Sequence, residues 1–412
     1  MSADERPTDG QTATRAVTYG EGLSGTNLER AGDHNQRVTL QAIRANGPVT
    51  RADLAEITGL TAPAIANITR RLLNDGLILK AGRLLGGRGQ PATKLVVNPD
   101  GAFSIGLNID RDHITIVALD FTGQVRARQS REVHFAMPEE VVQFVESALT
   151  QIRADKAIDF DRLIGMGIGM PDDLGRVRLP NRPEAYEIWS GIDVTELFGP
   201  LVNVPIIQEN DAAASAIGEM QFGHGLQTHS FIYTLISAGL GGGLVINGHY
   251  FRGADGRSGE IGFLPVIISD ETGPRQATLQ DAVSLSALYS RLNAAGIPVS
   301  TPQDLENLSA EGLKVVDQWI SDAASYLSTP FLTLSCAINP EAHYIGGRVP
   351  AAFLEKLCAS LNGAYGACDT RIPKIAEVKR AALAVDAAAR GAGILPFNER
   401  FLPTREALMK TA

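Results

Sequence analysis

The chain contains 412 residues, of which 44% are hydrophobic and 20% are charged, and its formal net charge is −9. This length exceeds what one ordinary hydrophobic core needs, so two or three domains are expected. No apolar run reaches transmembrane length and the first residues lack the apolar core of a signal peptide, which predicts a cytoplasmic protein.

Charge is distributed unevenly along the chain. Residues 34–99 contain nine Lys or Arg against three Asp or Glu, a balance of +6, so the rest of the chain carries −15. A small basic segment attached to an acidic body indicates that this segment meets a polyanion. Residues 1–33 are polar without an apolar period, which predicts a disordered tail.

Residues 34–76 show the pattern of three short helices. The third is predicted to run from Thr61 to Asn74, and the turn before it contains Gly59. Apolar residues recur on one face of this helix at helical spacing, and polar and basic residues occupy the opposite face. A helix, a short glycine turn and a second helix with a basic outer face are typical of helix-turn-helix DNA recognition.

Two short apolar runs, Leu77–Leu79 and Thr93–Val97, predict a hairpin around the glycine-rich residues 86–91, which makes the module winged. An Arg in a flexible wing can enter a minor groove, where the negative potential attracts guanidinium. Taken singly, Arg70 and Arg71 fit a solvated helix face better, but together with Arg88 and the balance of +6 they favour DNA. The outer face with Asn67 can equally be a dimer surface. The predicted DNA-binding residues are Thr50, Arg51, Thr61, Pro63, Ala64, Asn67, Arg70, Arg71, Arg88 and Gln90.

Strands and helices alternate in two similar halves after the turn at Asn98–Gly101, which predicts an α/β body with a cleft between the halves. In the first half, an apolar strand delivers Asn210 and Asp211 to the first turn of an alanine-rich helix. Such a pair can hydrogen-bond to sugar hydroxyls, although the pattern is equally typical of a helix N-cap. In the second half, residues 237–243 predict a tight glycine turn, and Glu260 lies between glycines.

Three motifs resemble the ROK family of sugar kinases and sugar-responsive repressors: ENDAAASAIGEMQFG, SAGLGGGLVINGHYFRGADGRSGEIG and INPEAHYIGG. The GRGQP wing is similar to that of the family's repressors. The resemblance implies an α/β, actin-like (sugar kinase/Hsp70-type) body of two lobes, preceded by an N-terminal winged helix-turn-helix domain. The expected division is a tail (1–33), a DNA-binding domain (34–98), lobe 1 (99–222) and lobe 2 (223–412).

The resemblance also shows where this chain departs from the family's kinases. Their first phosphate turn, acidic–x–Gly–Gly–Thr, is replaced here by residues 108–112, where Asp110 and Asp112 would repel phosphate. Ala238 stands at the usual hydroxyl of the second phosphate turn. Asp211 matches the family's catalytic base, but a base without a phosphate donor transfers nothing, so no catalytic residue is expected.

The family's zinc site is missing as well. Phe263 stands in place of its His, and residues 264–280 contain neither His nor Cys, so no metal and no cofactor are expected. Packing of Phe263, Leu264 and Val266 is expected to brace this loop instead. Three cysteines, predicted to be reduced, buried thiols, are Cys336, Cys358 and Cys368. The ligand contacts that the resemblance implies are Asn181, Asn210, Asp211, Glu260 and Gln280.

These features predict a DNA-binding transcriptional regulator of repressor type whose body binds a sugar or polyol effector. The expected partners are double-stranded operator DNA, the effector and further copies of the chain in a homodimer or homotetramer. Two alternatives stay open. One is a sugar kinase that carries a DNA-binding module, and the other is a DNA-binding scaffold whose pocket has decayed.

Overall fold

The computed structural model describes residues 28–83, 92–172, 174–176, 182–270, 273–366, 375–383 and 386–403. The helices are α1 (Leu28–Asn46), α2 (Arg51–Thr58), α3 (Ala62–Asn74), α4 (Pro138–Ala154), α5 (Val194–Phe198), α6 (Asp211–Phe222), α7 (Leu279–Val283), α8 (Leu285–Ala294), α9 (Ala310–Ile338), α10 (Ala351–Gly366) and α11 (Ala387–Phe401). The strands are β1 (Ile78–Arg83), β2 (Thr93–Val97), β3 (Phe103–Ile109), β4 (His113–Asp120), β5 (Val125–Glu132), β6 (Leu163–Gly169), β7 (Ile206–Glu209), β8 (Phe231–Ile236), β9 (Leu240–Ile246), β10 (His249–Tyr250), β11 (Pro265–Asp270), β12 (Gly273–Thr278), β13 (Ala342–Gly347) and β14 (Glu377–Arg380). Within these ranges, no helix is both long enough and apolar enough to cross a membrane.

The first three helices and the β1–β2 hairpin form a winged helix around a small core. Leu54, Ile65 and Leu72 are fully buried, and β1 pairs with β2 in antiparallel register. The side chains of Thr50 and Thr61 cap α2 and α3, because each hydroxyl accepts a backbone N–H of the first turn. Helix α1 begins at Leu28, six residues before the predicted start of the DNA-binding domain, and residues 1–27 of the predicted disordered tail lie outside the described residues.

Two five-stranded sheets share one topology. The first has the order β5-β4-β3-β6-β7, and the second has the order β10-β9-β8-β13-β14. In each sheet, the central strand pairs antiparallel with the strand that follows it and parallel with a later one. We call the first sheet and its packed helices lobe 1, and the second lobe 2. The prediction of two similar halves is confirmed.

Two helices lie between the sheets, and each packs on the sheet that is more distant from it along the chain. Helix α11 packs on β3 and β6, where a Cβ added to Gly106 or Gly167 would lie 2.0 or 1.8 Å from a carbonyl oxygen of α11. Helix α6 packs on β9, where Gly241 and Gly243 meet Ala212 and Ala216 of α6. The predicted boundary at residue 222 therefore separates each helix from the sheet on which it packs.

The predicted glycine turn at residues 237–243 is mostly a strand. Strand β9 begins at Leu240 and contains three consecutive glycines. A Cβ at Gly243 would lie 2.5 Å from the Cβ of Ala216, so the missing side chains make room for α6. These glycines serve close helix–sheet packing in a regular strand, although their conformational freedom had favoured a turn.

A β-hairpin, β11–β12, follows the position of the missing zinc ligand. It pairs antiparallel from Pro265 opposite Thr278 onwards. Val266 packs against the lobe 2 core, but Phe263 and Leu264 are 55% and 36% exposed, so the expectation that they pack inward is wrong. The backbone ladder of the hairpin, together with Val266 and Ile268, holds the segment instead.

Cysteine burial agrees only in part with the expectation. Cys358 is buried on α10, whereas Cys336 on α9 is exposed. Cys368 lies outside the described residues.

Candidate functional site

Asn210 and Asp211 lie at the junction of β7 and α6, as the sequence predicted. The Oδ1 atom of Asn210 accepts hydrogen bonds from the backbone N–H groups of Ala212 (2.9 Å) and Ala213 (3.2 Å). Asn210 is thus the N-cap of α6, and the capping interpretation is correct for its carbonyl oxygen. Asp211 is the first residue of the helix and is only 7% exposed.

Asp211 holds a carboxyl group in a poorly solvated position. Burial, and next the charge of Asp110, raise the pKa of Asp211 to about 7, while Arg111 opposes this rise. The carboxyl is therefore poised to exchange its proton near neutral pH. A group of this kind can either donate a hydrogen bond to a ligand hydroxyl or accept one.

Residues 110–112 form the turn between β3 and β4, and its charges are paired. Asp110 accepts the backbone N–H of Arg111 at 2.8 Å, and the Nε of Arg111 lies 3.1 Å from the same carboxylate oxygen. Asp112 contacts His113 at 2.7 Å and Arg348 at 3.0 Å. Burial would raise the pKa of Asp112, but these two partners outweigh it and lower the pKa to about 2.

Arg111 lies beside Gly239, which the resemblance to the family's kinases places in the second phosphate turn. A Cβ placed on Gly239 would lie 2.6 Å from an Nη of Arg111 and 3.6 Å from the Oε1 of Gln280. The guanidinium thus spans the cleft from lobe 1 to the start of lobe 2. Although burial opposes it, Asp110 and Asp211 raise the pKa of Arg111, so it stays charged.

A small cavity opens beside this turn. Two buried acceptors, Asn108 Oδ1 and Asp110 Oδ2, have no hydrogen-bond donor among the described residues. The residues that line it are Asn108, Asp110, His113, Thr115, Asp211, Leu235, Ser237, Gly347, Arg348, Asp386, Ala387, Ala388 and Ala389. The lining thus combines apolar residues with polar groups, among them the carboxylates of Asp110, Asp211 and Asp386, which can accept hydrogen bonds from ligand hydroxyls.

One group of potential metal ligands occurs in the described part of the chain, namely Asp110, Asp112 and His113. Both ring nitrogens of His113 are already engaged, one with Asp112 at 2.7 Å and the other with the amide of Asn108 at 2.8 Å. Asp112 also pairs with Arg348. These contacts compete with metal coordination, so the group is better described as an ion-pair network.

Arg348 connects the two lobes across the mouth of this cavity. It follows β13 of lobe 2, and its guanidinium pairs with Asp112 of the β3–β4 turn and with Glu132 at the end of β5, both in lobe 1. The side chains of Arg348 and Asp112 are 12% and 23% exposed, so water screens their pair only in part, whereas Glu132 is 43% exposed. We call Arg348, Asp112 and Glu132 the interlobe clasp.

The other predicted ligand contacts are dispersed. Glu260 is half-buried, with an oxygen 3.3 Å from Arg257, and it does not line the cavity. Gln280 lies at the start of α7 beside Gly239. Asn181 lies outside the described residues. The structure therefore brings together Asp211, Arg111 and Gln280, of which only Arg111 was not predicted as a contact.

Sequence reasoning treated residues 110–112 as a source of repulsion and overlooked the arginines. Arg111 stands within the quoted turn, so its charge was visible there. Nothing local indicates that Arg348, far along the chain, neutralises Asp112. Only the pairing of β13 with β8 carries it to the cleft.

The outer face of α3 presents the residues predicted to read DNA. Thr61, Pro63, Asn67, Arg70 and Arg71 are exposed, and Ala64 is half-buried. The inner face buries Ile65, Thr69 and Leu72. The structure thus separates a polar, basic surface from the core, as a recognition helix requires.

Two residues at the start of α2 have structural partners. Thr50 is 6% exposed, and its hydroxyl caps α2 in a reciprocal pair with Asp53, so it is placed as a cap and not as a surface contact. Arg51 is exposed, and its Nε donates to the hydroxyl of Thr69 at 2.8 Å, which ties α2 to α3. Arg88 and Gln90 lie outside the described residues.

The chain is similar to several bacterial proteins along much of its length. It is 28% identical over 371 residues to the uncharacterized protein y4fQ of Sinorhizobium fredii, covering 89% of this chain and 91% of that protein. It is 30% identical over 249 residues to the xylose repressor of Bacillus subtilis, covering 58% and 62% of the two chains. It is 26% identical over 248 residues to the DNA-binding transcriptional dual regulator NagC of Escherichia coli, covering 58% and 59%. The chain thus spans about three fifths of the last two proteins.

Solved structures share the fold. A ROK family transcriptional regulator described as a homolog of the E. coli MLC protein superposes with a TM-score of 0.64 at 21% identity, covering 90% of this chain and 97% of its own. A ROK family glucokinase from Streptomyces griseus, solved with glucose and AMPPNP, superposes on the body with a TM-score of 0.57 at 22% identity, covering 71% and 99%. The actin-like, two-lobed fold predicted from the sequence is confirmed.

Models of two families match the chain in succession. Residues 33–78 match winged helix-turn-helix DNA-binding domains, and residues 104–398 match the ROK family. The second match covers well over half of the chain and contains both sheets, the cleft and α6. The protein belongs to the ROK family.

Proposed function

We propose that this protein is a DNA-binding transcriptional regulator of repressor type, and that a sugar or sugar-derived effector in its cleft modulates operator binding. One observation carries the proposal: a winged helix with an exposed basic recognition face is joined to a sugar-kinase-like body in which Arg111 lies against Gly239, a residue of the implied second phosphate turn. The sequence is similar to those of the xylose repressor and the regulator NagC, which are both named as transcriptional regulators. This similarity supports a regulatory function.

The recognition face is proposed to act through two kinds of contact. Arg70 and Arg71 on α3 would contact phosphates and supply salt-dependent affinity. Pro63, Ala64 and Asn67 lie nearer the start of the helix, which enters the major groove first, and would meet base edges. A homodimer would place two such helices on a palindromic operator. Arg88 and Gln90 of the wing would reach the minor groove.

The cleft is proposed to bind a polyhydroxylated molecule through Asp211 and its neighbours. Asp211 can donate or accept a hydrogen bond near neutral pH because its pKa is raised to about 7. Asn210 caps the same helix start, Gln280 lies beside Gly239 of lobe 2, and Glu260 is proposed to join them when the effector binds. Asn181 completes the proposed contact set.

We further propose that the body transfers no phosphate. Phosphoryl transfer depends almost entirely on positioning and on charge stabilisation of the phosphates. Here Arg111 approaches Gly239 across the cleft, and Asp110 and Asp112 add carboxylates to the same turn. A triphosphate would have to displace a charged side chain that is held by three carboxylates.

The experiment begins with selection of DNA from a random library by the full-length protein, followed by affinity measurement with and without D-xylose, N-acetyl-D-glucosamine and D-glucose. Saturable, salt-dependent binding that one sugar changes is the expected result. Arg88→Ala should weaken this binding and leave the thermal melt unchanged. Sugar-dependent release of ADP from ATP·Mg²⁺ would instead establish the kinase. Operator binding without stabilisation by any sugar would favour the scaffold alternative.

A further inference from the structure

Helix α1 of the winged helix is anchored on the body by two arginines, Arg37 and Arg44, which lie two turns apart. Arg44 donates to the backbone oxygen of Gln221 at 2.8 Å and to its side-chain oxygen at 2.5 Å. Its guanidinium also lies 4.4 Å from the ring centroid of Phe222. Arg37 donates to the backbone oxygens of Glu399 (2.6 Å) and Leu402 (3.1 Å).

Each arginine therefore caps the C-terminus of a body helix. Gln221 and Phe222 end α6, and Glu399 belongs to the last turn of α11. The last carbonyl groups of a helix lack partners within it, and a cation there is favoured by the helix dipole. Burial lowers the pKa of Arg44 to about 10, so it is still charged at neutral pH. The anchors are therefore specific contacts and more than incidental surface pairs.

The same two helices begin at the cleft. Asn210 caps the start of α6, and Asp211 is its first residue. Asp386 precedes α11, and the first three residues of α11 line the cavity beside Asp211. At 1.5 Å per residue, 12 residues of α6 and 15 of α11 span about 18 and 22 Å. Both helices thus run from the effector cleft to α1.

The two helices follow different lobes. Helix α6 packs through Ala212 and Ala216 on β9 of lobe 2, and α11 packs on β3 and β6 of lobe 1. Where they meet, Gly391 of α11 approaches the backbone of Ala214, and Gly218 of α6 approaches Gly391. At these glycines no side chain protrudes between the two helices. Closely packed helices with a smooth contact can slide past each other by an ångström or two, which is a shear movement.

From these contacts we propose that α1 detects the relative position of α6 and α11, so that closure of the lobes around the effector moves the winged helix through Arg37 and Arg44. The inference rests on the proposed function, because it assigns the cleft as the effector site and the winged helix as the DNA reader. The interlobe clasp sets the resting position of the lobes, since Arg348 joins lobe 2 to Asp112 and Glu132 of lobe 1.

The test measures distances between nitroxide labels by pulsed electron resonance in the full-length protein. Genetically encoded p-acetylphenylalanine at Glu56, Ser147 and Ser360 carries the labels, and all three positions are exposed. Glu56 reports the winged helix, Ser147 on α4 reports lobe 1, and Ser360 on α10 reports lobe 2. Neither DNA nor an effector is needed.

Arg348→Ala releases the clasp, and Arg291→Ala is the matched control because it breaks the Arg291–Asp322 pair (2.6 Å) within lobe 2. In Arg348→Ala we expect the lobe-to-lobe distance and the distance from the winged helix to lobe 1 to shift together, each by about 2–5 Å, the scale of helix shear and small domain movements. Arg291→Ala should change neither distance.

Adding Arg44→Ala to Arg348→Ala should leave the lobe-to-lobe shift in place and abolish the shift of the winged helix. If Arg44→Ala does not fold, Gln221→Ala removes the side-chain acceptor of Arg44 but keeps the backbone acceptor and the Phe222 contact, so it should reduce the shift of the winged helix without abolishing it. The proposal is overturned if the lobes move and the winged helix does not, if its shift persists without Arg44, or if releasing the clasp leaves the lobes in place.

Operator measurements separate this inference from the proposed function. In Arg44→Ala, operator affinity without sugar should stay within about twofold of the parent, while the change produced by the active sugar should fall at least about fivefold, as loss of a coupling of 1–3 kcal/mol predicts. Gln221→Ala should reduce the sugar response by less. Coupled label movements in a protein that binds no DNA would refute the proposed function alone. Full sugar response in Gln221→Ala and in Arg44→Ala would refute the inference alone.

Discussion

Replacement of Asp211 by Asn tests the electrostatics of the cleft directly. The carboxyl is 7% exposed, and its pKa is raised from 3.8 to about 7 by burial and by Asp110. Because the folded-state pKa lies above the unfolded value, the protonated form stabilises the fold below pH 3.8, and this stability is lost as the pH rises through about 7. Asn has nearly the same shape as Asp but cannot ionise. Asp211→Asn should therefore gain stability relative to the parent as the pH rises above 3.8, where the carboxyl ionises more readily in the unfolded state.

The magnitude follows from the two pKa values. A pKa difference contributes about 1.4 kcal/mol of unfolding free energy per pH unit. At pH 5 the unfolding free energy of the parent is therefore about 1.5 kcal/mol lower than below pH 3.8, because Asp211 is ionised only in the unfolded state. By pH 8 both states are ionised, and the loss reaches about 4 kcal/mol. The stabilisation by Asp211→Asn should therefore grow by about 2.5 kcal/mol between pH 5 and pH 8.

Urea unfolding followed by circular dichroism at pH 5, 6.5 and 8 measures this difference. Asp304→Asn is the control, because backbone N–H groups of Ser300 and Thr301 lower the pKa of Asp304. That carboxyl is ionised in both states from pH 5 to 8, so its replacement should change stability by a constant amount. A stability difference for Asp211→Asn that is the same at pH 5 and pH 8 would refute the assignment of a raised pKa to this residue.

Further outcomes follow from the winged helix and the helix pair. Arg70→Ala and Arg71→Ala should each lower the slope of log affinity against log salt by about one while keeping the melt unchanged, as measured by fluorescence anisotropy on selected DNA. Thr50→Ala should cost about 1 kcal/mol of stability through loss of the α2 cap and leave that slope unaltered. Gly391→Ala should destabilise by more than about 2 kcal/mol in urea, because its Cβ would lie 1.9 Å from the backbone oxygen of Ala214. Equal stability of Gly391→Ala and the parent would contradict the close α6–α11 contact.

The winged helix could be predicted from the sequence because its signals are local. Thr50 and Thr61 begin α2 and α3 as caps, and Gly59 adopts a positive φ of 69° in the turn between them. Apolar residues at helical spacing predicted the buried face of α3, including Ile65 and Leu72. Only the start of α1 was misplaced, since the residues before Asn35 have little apolar periodicity.

Helix α11 escaped prediction for a physical reason. Gly391, Gly393 and Pro396 have low intrinsic helix propensity, so the local sequence does not predict a helix over residues 387–401. In the fold these glycines allow the backbone of α11 to approach Ala214 of α6 and Gly106 of β3. Glycines also caused residues 237–243 to be predicted as a turn, whereas most of them belong to strand β9, where the glycines accommodate α6. Tertiary packing outweighs propensity in both elements.

By itself, the sequence determined that an α/β body follows a basic helix-turn-helix module, and that Asp211 stands at the start of a helix at the cleft. Those features depend on residues near one another along the chain, where caps, turns and periodicity act. Only the tertiary structure decided that Arg111 spans the cleft to Gly239 and that Arg348 neutralises Asp112. It also decided that α1 joins the ends of α6 and α11, because charge pairing and helix capping between distant segments depend on how the sheets bring them together.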